Sequence, residues 1–322
     1  MQEVLQAAWQ EPFCSPFYTL NPQIQTVPAK TRREINNKMD IQWFPGHMRQ
    51  TKELLIKAVA RVDVVMEILD ARIPLSSSNP LVDKICKNSV RLKVLNKNDL
   101  ADPETTRLWL DYFNRPDAAS AIAIAGTESR EVWGAADLCH RMITKGKSRR
   151  MRIMVVGIPN TGKSTIINTL AGKKIAKTGN VPAITRQKQR TELKNGVDIY
   201  DTPGILWPVM NEPANTYRLA AMGAISDTAI DYTEIACFTG SLLVETYPHL
   251  LTRRYKLPSP LPRDGLSLIK AIGAGRGCLK RGGEIDLQKA SEILIRELRA
   301  GKIGRISLET PQSILVPPAT IH

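Results

Sequence analysis

Residues 157–164 read Gly-Ile-Pro-Asn-Thr-Gly-Lys-Ser, the pattern GxxxxGK[ST]. The apolar run MRIMVVG (151–157) leads into it and STIINTLAG (164–172) leads out. A backbone that curls its N–H groups around phosphate oxygens needs a strand to enter and a helix to leave, so this stretch commits the chain to an α/β fold. Asn160, Thr161, Gly162, Lys163, Ser164 and Thr165 are the expected phosphate-binding residues. Lys163 brings a point charge to the β and γ phosphates, and Ser164 offers a hydroxyl to Mg²⁺. Further apolar runs at 62–69, 91–97, 120–126 and 197–204 read as strands, alternating with helical patterns at 49–60 and 131–146. Asp102-Pro103-Glu104 reads as a capped helix start. Strands alternating with helices predict a mostly parallel sheet of the P-loop NTPase type.

Two more motifs narrow the ligand. Asn96-Lys97-Asn98-Asp99 follows the 91–97 run and matches NKxD. A buried Asp99 carboxylate would accept two hydrogen bonds from guanine, a donor pair that adenine lacks. Asn96 would tie this loop to the phosphate loop, and the Lys97 stem would cover the base. A guanine-oxygen contact is expected near Ile124-Ala125-Gly126, with Ala125 as its residue. Asp201-Thr202-Pro203-Gly204 matches DxxG: Asp201 would hold Mg²⁺ through a water, and the Gly204 N–H would meet the γ-phosphate. Thr185 is the candidate switch threonine that completes the Mg²⁺ shell. In most GTPases NKxD comes late; here it precedes the phosphate loop, and DTPG comes last. That order predicts a circularly permuted GTPase domain, with its second switch placed directly before whatever follows. A P-loop kinase or ATPase fits NKxD poorly.

After Pro208 the pattern changes to helices at 214–247 and 286–300, with loops rich in Pro and Gly at 257–265 and 273–283. The expected organisation is a poorly ordered extension (1–38), the GTPase domain (39–208), a smaller all-α domain (209–310) and a loose tail (311–322). Met39 directly follows the extension and is an alternative start. The 322 residues carry 45 Lys and Arg against 31 Asp and Glu, a net charge of +14. Between 141 and 194 there are fourteen basic residues and one acid, Glu192; between 253 and 281 there are eight against Asp264 alone. One nucleotide does not need that many, and a phosphodiester backbone suits them. No aromatic ladder interleaves them, which points to structured RNA read by shape. The five cysteines form no CxxC pair, so neither a zinc site nor a disulfide framework is expected. No apolar run reaches 18 residues and no amphipathic anchor is evident, so no membrane partner is expected and the expected compartment is the cytoplasm.

The chain resembles the circularly permuted GTPases of the YlqF/YawG family, in particular their bacterial ribosome-biogenesis members. The carriers are IQWFPGHM (41–48), LDARIP (69–74), NKND, GIPNTGKST, IAKTGNVPAITR (175–186), DTPGILWP (201–208), AIGAGRGCLKRGGEID (271–286) and GRISLE (304–309). Ala183 stands where that family usually has Gly. The resemblance implies a monomeric GTPase that assembles the large ribosomal subunit. It would bind rRNA and ribosomal proteins in a precursor particle, hydrolyse GTP to GDP, and leave. An RNA-binding scaffold that holds GTP with little hydrolysis is the alternative. Ile205 occupies the position where many GTPases carry a water-orienting Gln, and the resemblance offers His47 as the catalytic group instead. His47 either positions the attacking water or packs against its own Trp-Phe-Pro turn. Asn160 either helps hold a K⁺ ion, as in related GTPases, or only hydrogen-bonds the loop. Arg72 either touches the nucleotide or a switch, or makes an ion pair that holds the fold. His140 and His249 read as structural or exposed.

Overall fold

The computed structural model describes residues 53, 55–116, 119–143, 150–175, 189–193, 196–201 and 213–312. The extension at 1–38, His47, Thr185 and Gly204 lie outside them, as does the tail beyond residue 312. Five strands run parallel: β1 (Val64–Asp70), β2 (Arg91–Asn96), β3 (Ser120–Ile124), β4 (Met151–Val156) and β6 (Val197–Asp201). A sixth, β5 (Gln189–Glu192), pairs antiparallel with β6 at the edge, giving the order β3-β2-β1-β4-β6-β5. Four polar residues with no apolar alternation carry β5, which is why the sequence did not announce it.

Every residue of β1 is buried because helices cover both faces of the sheet. Ile68, Val94, Ile124 and Val155 pack under α4 (Ser129–Met142) and α5 (Lys163–Ala171). Leu69 and Leu95 pack with Trp109 and Phe113 of α3 (Pro103–Phe113) on the other side. Asp102 caps α3 by accepting from the Thr105 N–H at 2.8 Å, with Pro103 at the first position, as the sequence predicted. The short helices α1 (Pro74–Ser77) and α2 (Pro80–Ile85) follow β1.

Five helices make the C-terminal layer: α6 (Pro213–Ala221), α7 (Tyr232–Thr246), α8 (Pro248–Tyr255), α9 (Gly265–Gly275) and α10 (Leu287–Arg299). The expected helical run at 214–247 is therefore two helices, broken at 222–231 where the chain turns at Gly223. Helix α9 occupies ground partly read as loop, because its glycines depress local helix propensity. Gly265 serves close packing against α7 instead. A Cβ on Gly265 would strike the Cys237 carbonyl of α7, and one on Gly240 would lie 3.0 Å from the Gly265 Cα. The core of this layer is continuous with Ile73 and Ile158 at the carboxyl edge of the sheet.

Candidate functional site

Parallel strands deliver their following loops to one edge, and among the described residues four of the expected site segments sit there. The phosphate loop follows β4, NKxD follows β2, Ala125-Gly126 follow β3, and Asp201 closes β6. Asn96 joins three of these segments. Its Nδ2 donates to the Thr161 carbonyl at 2.7 Å, and its Oδ1 accepts from the Gly126 N–H at 2.8 Å. Gly162 has φ 94°, and a Cβ there would also collide with the Asn96 amide. Glycine is thus required twice, for backbone shape and for clearance.

Lys163, the first residue of α5, is buried, and its Nζ donates to the Ile158 carbonyl at 2.7 Å. Burial pushes its pKa down to about 8, opposed by the negative charge of Asp201. Asp201 is itself buried and aligned with Val155 across the sheet. Thr161 Oγ1 donates to the Ile158 carbonyl at 3.1 Å, closing the loop from within. Ser164 and Thr165 follow in the first turn of α5, whose N-terminus carries the positive end of a helix dipole. Among the described residues no group of three or more His, Cys, Asp and Glu could hold a metal. One hydroxyl, Ser164, and one buried carboxylate, Asp201, are hard oxygen donors. That set suits Mg²⁺, which takes few protein ligands and completes its shell with phosphate and water.

Behind NKxD lies a buried charge cluster. Asp70, the last residue of β1, accepts from Arg72 Nε at 2.9 Å and Nη2 at 2.8 Å, and from Lys97 Nζ at 2.8 Å. Burial alone would raise the Asp70 carboxyl, but the charges of Arg72 and Lys97 outweigh it and hold the group well below the usual carboxylate range. Burial lowers the Lys97 ammonium, against the opposing pull of Asp70. Lys97 also donates to the Asn160 carbonyl at 2.6 Å, so the NKxD lysine grips the phosphate loop. Of the two readings for Arg72, the ion pair is the one present. Its Nη1 also reaches the carbonyls of Leu298 and Arg299 at the end of α10.

Some residues are placed differently from the sequence expectation. Asp99 is exposed, not buried as expected from the sequence. The Ala125 N–H donates to the carboxylate of Glu131, in the first turn of α4, at 2.7 Å. The Asn160 side-chain amide donates to the Gly223 carbonyl between α6 and α7, a partner neither reading supplied. By contrast His140 and His249 are exposed, one of the two readings given for them, and the described cysteines are free thiols, three of them buried. Asp70 was missed as a site residue; the signal was an acid closing a strand that is apolar apart from Glu67.

The family described as 50S ribosome-binding GTPase matches residues 152–235. The chain is 42% identical over 289 residues to ribosome biogenesis GTPase A of Priestia megaterium, covering 87% of this chain and 100% of that protein. It is 43% identical over 282 residues to ribosome biogenesis GTPase A of Bacillus cereus, covering 85% and 95%. Among solved structures, GNP-bound YlqF from T. maritima aligns with TM-score 0.59 at 28% identity, covering 82% of this chain and 99% of that one.

Proposed function

The chain belongs to the ribosome biogenesis GTPase A family, and from that premise we propose that it is a GTP-hydrolysing assembly factor acting on a precursor of the large ribosomal subunit. The observation that carries this reading is the pair of hydrogen bonds made by the Asn96 side chain, which ties the phosphate loop, the NKxD loop and the Ala125-Gly126 turn together. In it Asp99 reads guanine, Asn96 and Lys97 hold the loop, and Ala125 borders the guanine oxygen. The N–H groups of Asn160, Thr161 and Gly162, with Lys163, Ser164, Thr165 and Gly204, receive the phosphates. Mg²⁺, when bound, neutralises charge between the β and γ phosphates; Ser164, Thr185 and Asp201 are the residues proposed to hold it, Asp201 through water. Water attacks the γ-phosphorus and GDP leaves, with Lys163 balancing charge on the phosphate oxygens. His47 is proposed to orient that water, and Asn160 to help hold a K⁺ ion.

The domain division proposed is a GTPase domain at 39–208 and a helical RNA-facing domain at 209–310. The basic residues along 253–281 supply the phosphodiester contacts to rRNA, and the compartment proposed is the cytoplasm. Among the described residues no helix is long and apolar enough to cross a membrane. Single-turnover GTP hydrolysis with and without large-subunit precursors, in K⁺ buffer, tests the proposal. Stimulation is expected, with His47→Ala losing it, and particle binding is expected to fall steeply with salt while GTP affinity hardly changes. Turnover unchanged by saturating particles would overturn the assembly role and leave the scaffold reading. ATP binding tighter than GTP binding would overturn the guanine assignment.

A further inference from the structure

The motif GRISLE at 304–309 has no assigned part in nucleotide chemistry, yet it lies against the guanine loop. Arg305 Nε donates to the Ala101 carbonyl at 2.8 Å, and its Nη2 donates to the Asn98 carbonyl at 2.9 Å. The Ile306 N–H donates to the Leu100 carbonyl at 3.0 Å. The Asp102 N–H donates to Ser307 Oγ at 3.2 Å. Carbonyls on both sides of Asp99 are therefore held by one short segment from the far end of the chain.

That segment is itself fixed. Ser307 exchanges backbone hydrogen bonds with the hydroxyl of Tyr247, the residue between α7 and α8, at 3.1 and 3.2 Å. The Leu308 N–H donates to the Arg72 carbonyl at 2.8 Å, and Trp109 Nε1 donates to the Glu309 carbonyl at 3.1 Å. The exposed Asp99 side chain takes its aim from the backbone beneath it, because the turn it rides on is a tight one. Lys97 has φ 63°, Leu100 N–H returns to the Lys97 carbonyl at 2.9 Å, and Ala101 N–H to the Asn98 carbonyl at 3.3 Å. Arg305 adds charge-assisted bonds to two carbonyls of this turn.

We propose that Arg305 is a positioning residue for base selectivity: it locks the turn that aims Asp99, so that the C-terminal strap sets how strictly the protein reads guanine. This rests on the assignment of Asp99 to guanine made above. The readout is a ratio of affinities. Inosine diphosphate lacks the 2-amino group and so offers Asp99 one donor where GDP offers two. Dissociation constants for GDP, inosine diphosphate and ADP are measured by calorimetry on the full chain, for wild type, Arg305→Ala and Arg305→Lys.

In wild type, inosine diphosphate is expected to bind roughly tenfold or more weaker than GDP, the size of one hydrogen bond to a charged group. Arg305→Ala should reduce that ratio to about threefold or less, while ADP binding stays as weak as before. Arg305→Lys, which can reach one carbonyl but not both, should fall between. A variant that merely folds less well lowers the bound fraction for both nucleotides and leaves the ratio intact, so an unchanged ratio in Arg305→Ala overturns the proposal. A wild type that fails to separate GDP from inosine diphosphate overturns the Asp99 assignment instead, and this proposal with it.

Discussion

Asp70→Asn keeps the shape of the side chain and removes the one negative charge on which Arg72 and Lys97 converge. The Asp70 and Arg72 side chains are 3% and 2% exposed, so water does little to screen the loss. Removing one partner of a buried pair costs about 3–5 kcal/mol, since the other charge stays buried without its counterion. Two features move the expectation to the lower end. Arg72 retains the Leu298 and Arg299 carbonyls at 3.4 and 3.2 Å, and Lys97, 23% exposed, retains the Asn160 carbonyl. At about 3 kcal/mol, with roughly 2–4 °C per kcal/mol for a unit of this size, Tm should fall by about 6–12 °C. The Asp70 carboxyl titrates below its ordinary 3.8 when folded, so its contribution is complete above that value and is lost as pH falls through the folded pKa. The difference between wild type and variant should hence be flat from about pH 5 to 8 and close only in stronger acid. Calorimetric melts across that range check both size and shape. The double variant Asp70→Asn/Arg72→Met should cost less than the sum of its singles, because the second change removes the stranded cation. A Tm within about 2 °C of wild type for Asp70→Asn, on the same scale, would refute the reasoning.

Two further outcomes follow from the buried titratable groups. Burial raises the Glu309 carboxyl, against Arg218 and the bonds from Ser76, so this group favours folding most below its ordinary 4.5 and that contribution is lost as pH rises through the folded pKa. Glu309→Gln should therefore gain stability relative to wild type as pH rises from about 5 to 7.5; parallel urea midpoints at the two ends would sink the idea. Lys163, with a pKa of about 8 before nucleotide arrives, should be fully charged once phosphates surround it. GDP binding at pH 8 should then take up about half a proton, read from calorimetry in two buffers of different ionisation enthalpy, and zero uptake would count against it.

What the sequence revealed was whatever chemistry forces on neighbours along the chain. The phosphate loop was readable because its shape admits only certain residues at Gly157 and Gly162. The α3 start was readable because a cap and a proline stand side by side. An ion pair for Arg72 could be raised as one reading, but its partner Asp70, two residues away, was not named. The partners of Asn160 and Arg305 were not readable. Gly223 lies 63 residues from Asn160, and Asn98 lies 207 from Arg305. In both cases the acceptor is a backbone carbonyl, which every residue type presents. Helix α9 was hidden for a related reason: its glycines lower local propensity, and Gly265 offsets this through contact with α7, which no local window contains.

The permuted order decides how the C-terminal layer meets the nucleotide edge. The layer's first helix, α6, begins at Pro213, twelve residues beyond the end of β6 at Asp201. Its last segment returns at 304–309 to the turn after β2. Between these ends Gly223 receives the phosphate-loop Asn160, and the carbonyls of Leu298 and Arg299 receive Arg72, whose partner Asp70 holds the NKxD lysine. Arg299 ties these points together, donating to the carbonyls of Ala220 and Ala221 at 2.8 and 2.9 Å and to Asp227 at 2.9 Å. A shift of the layer thus cannot leave the phosphate loop and the NKxD loop both untouched. Because linkage is reciprocal, a particle that prefers one position of this layer changes nucleotide affinity by the same factor by which nucleotide changes affinity for the particle.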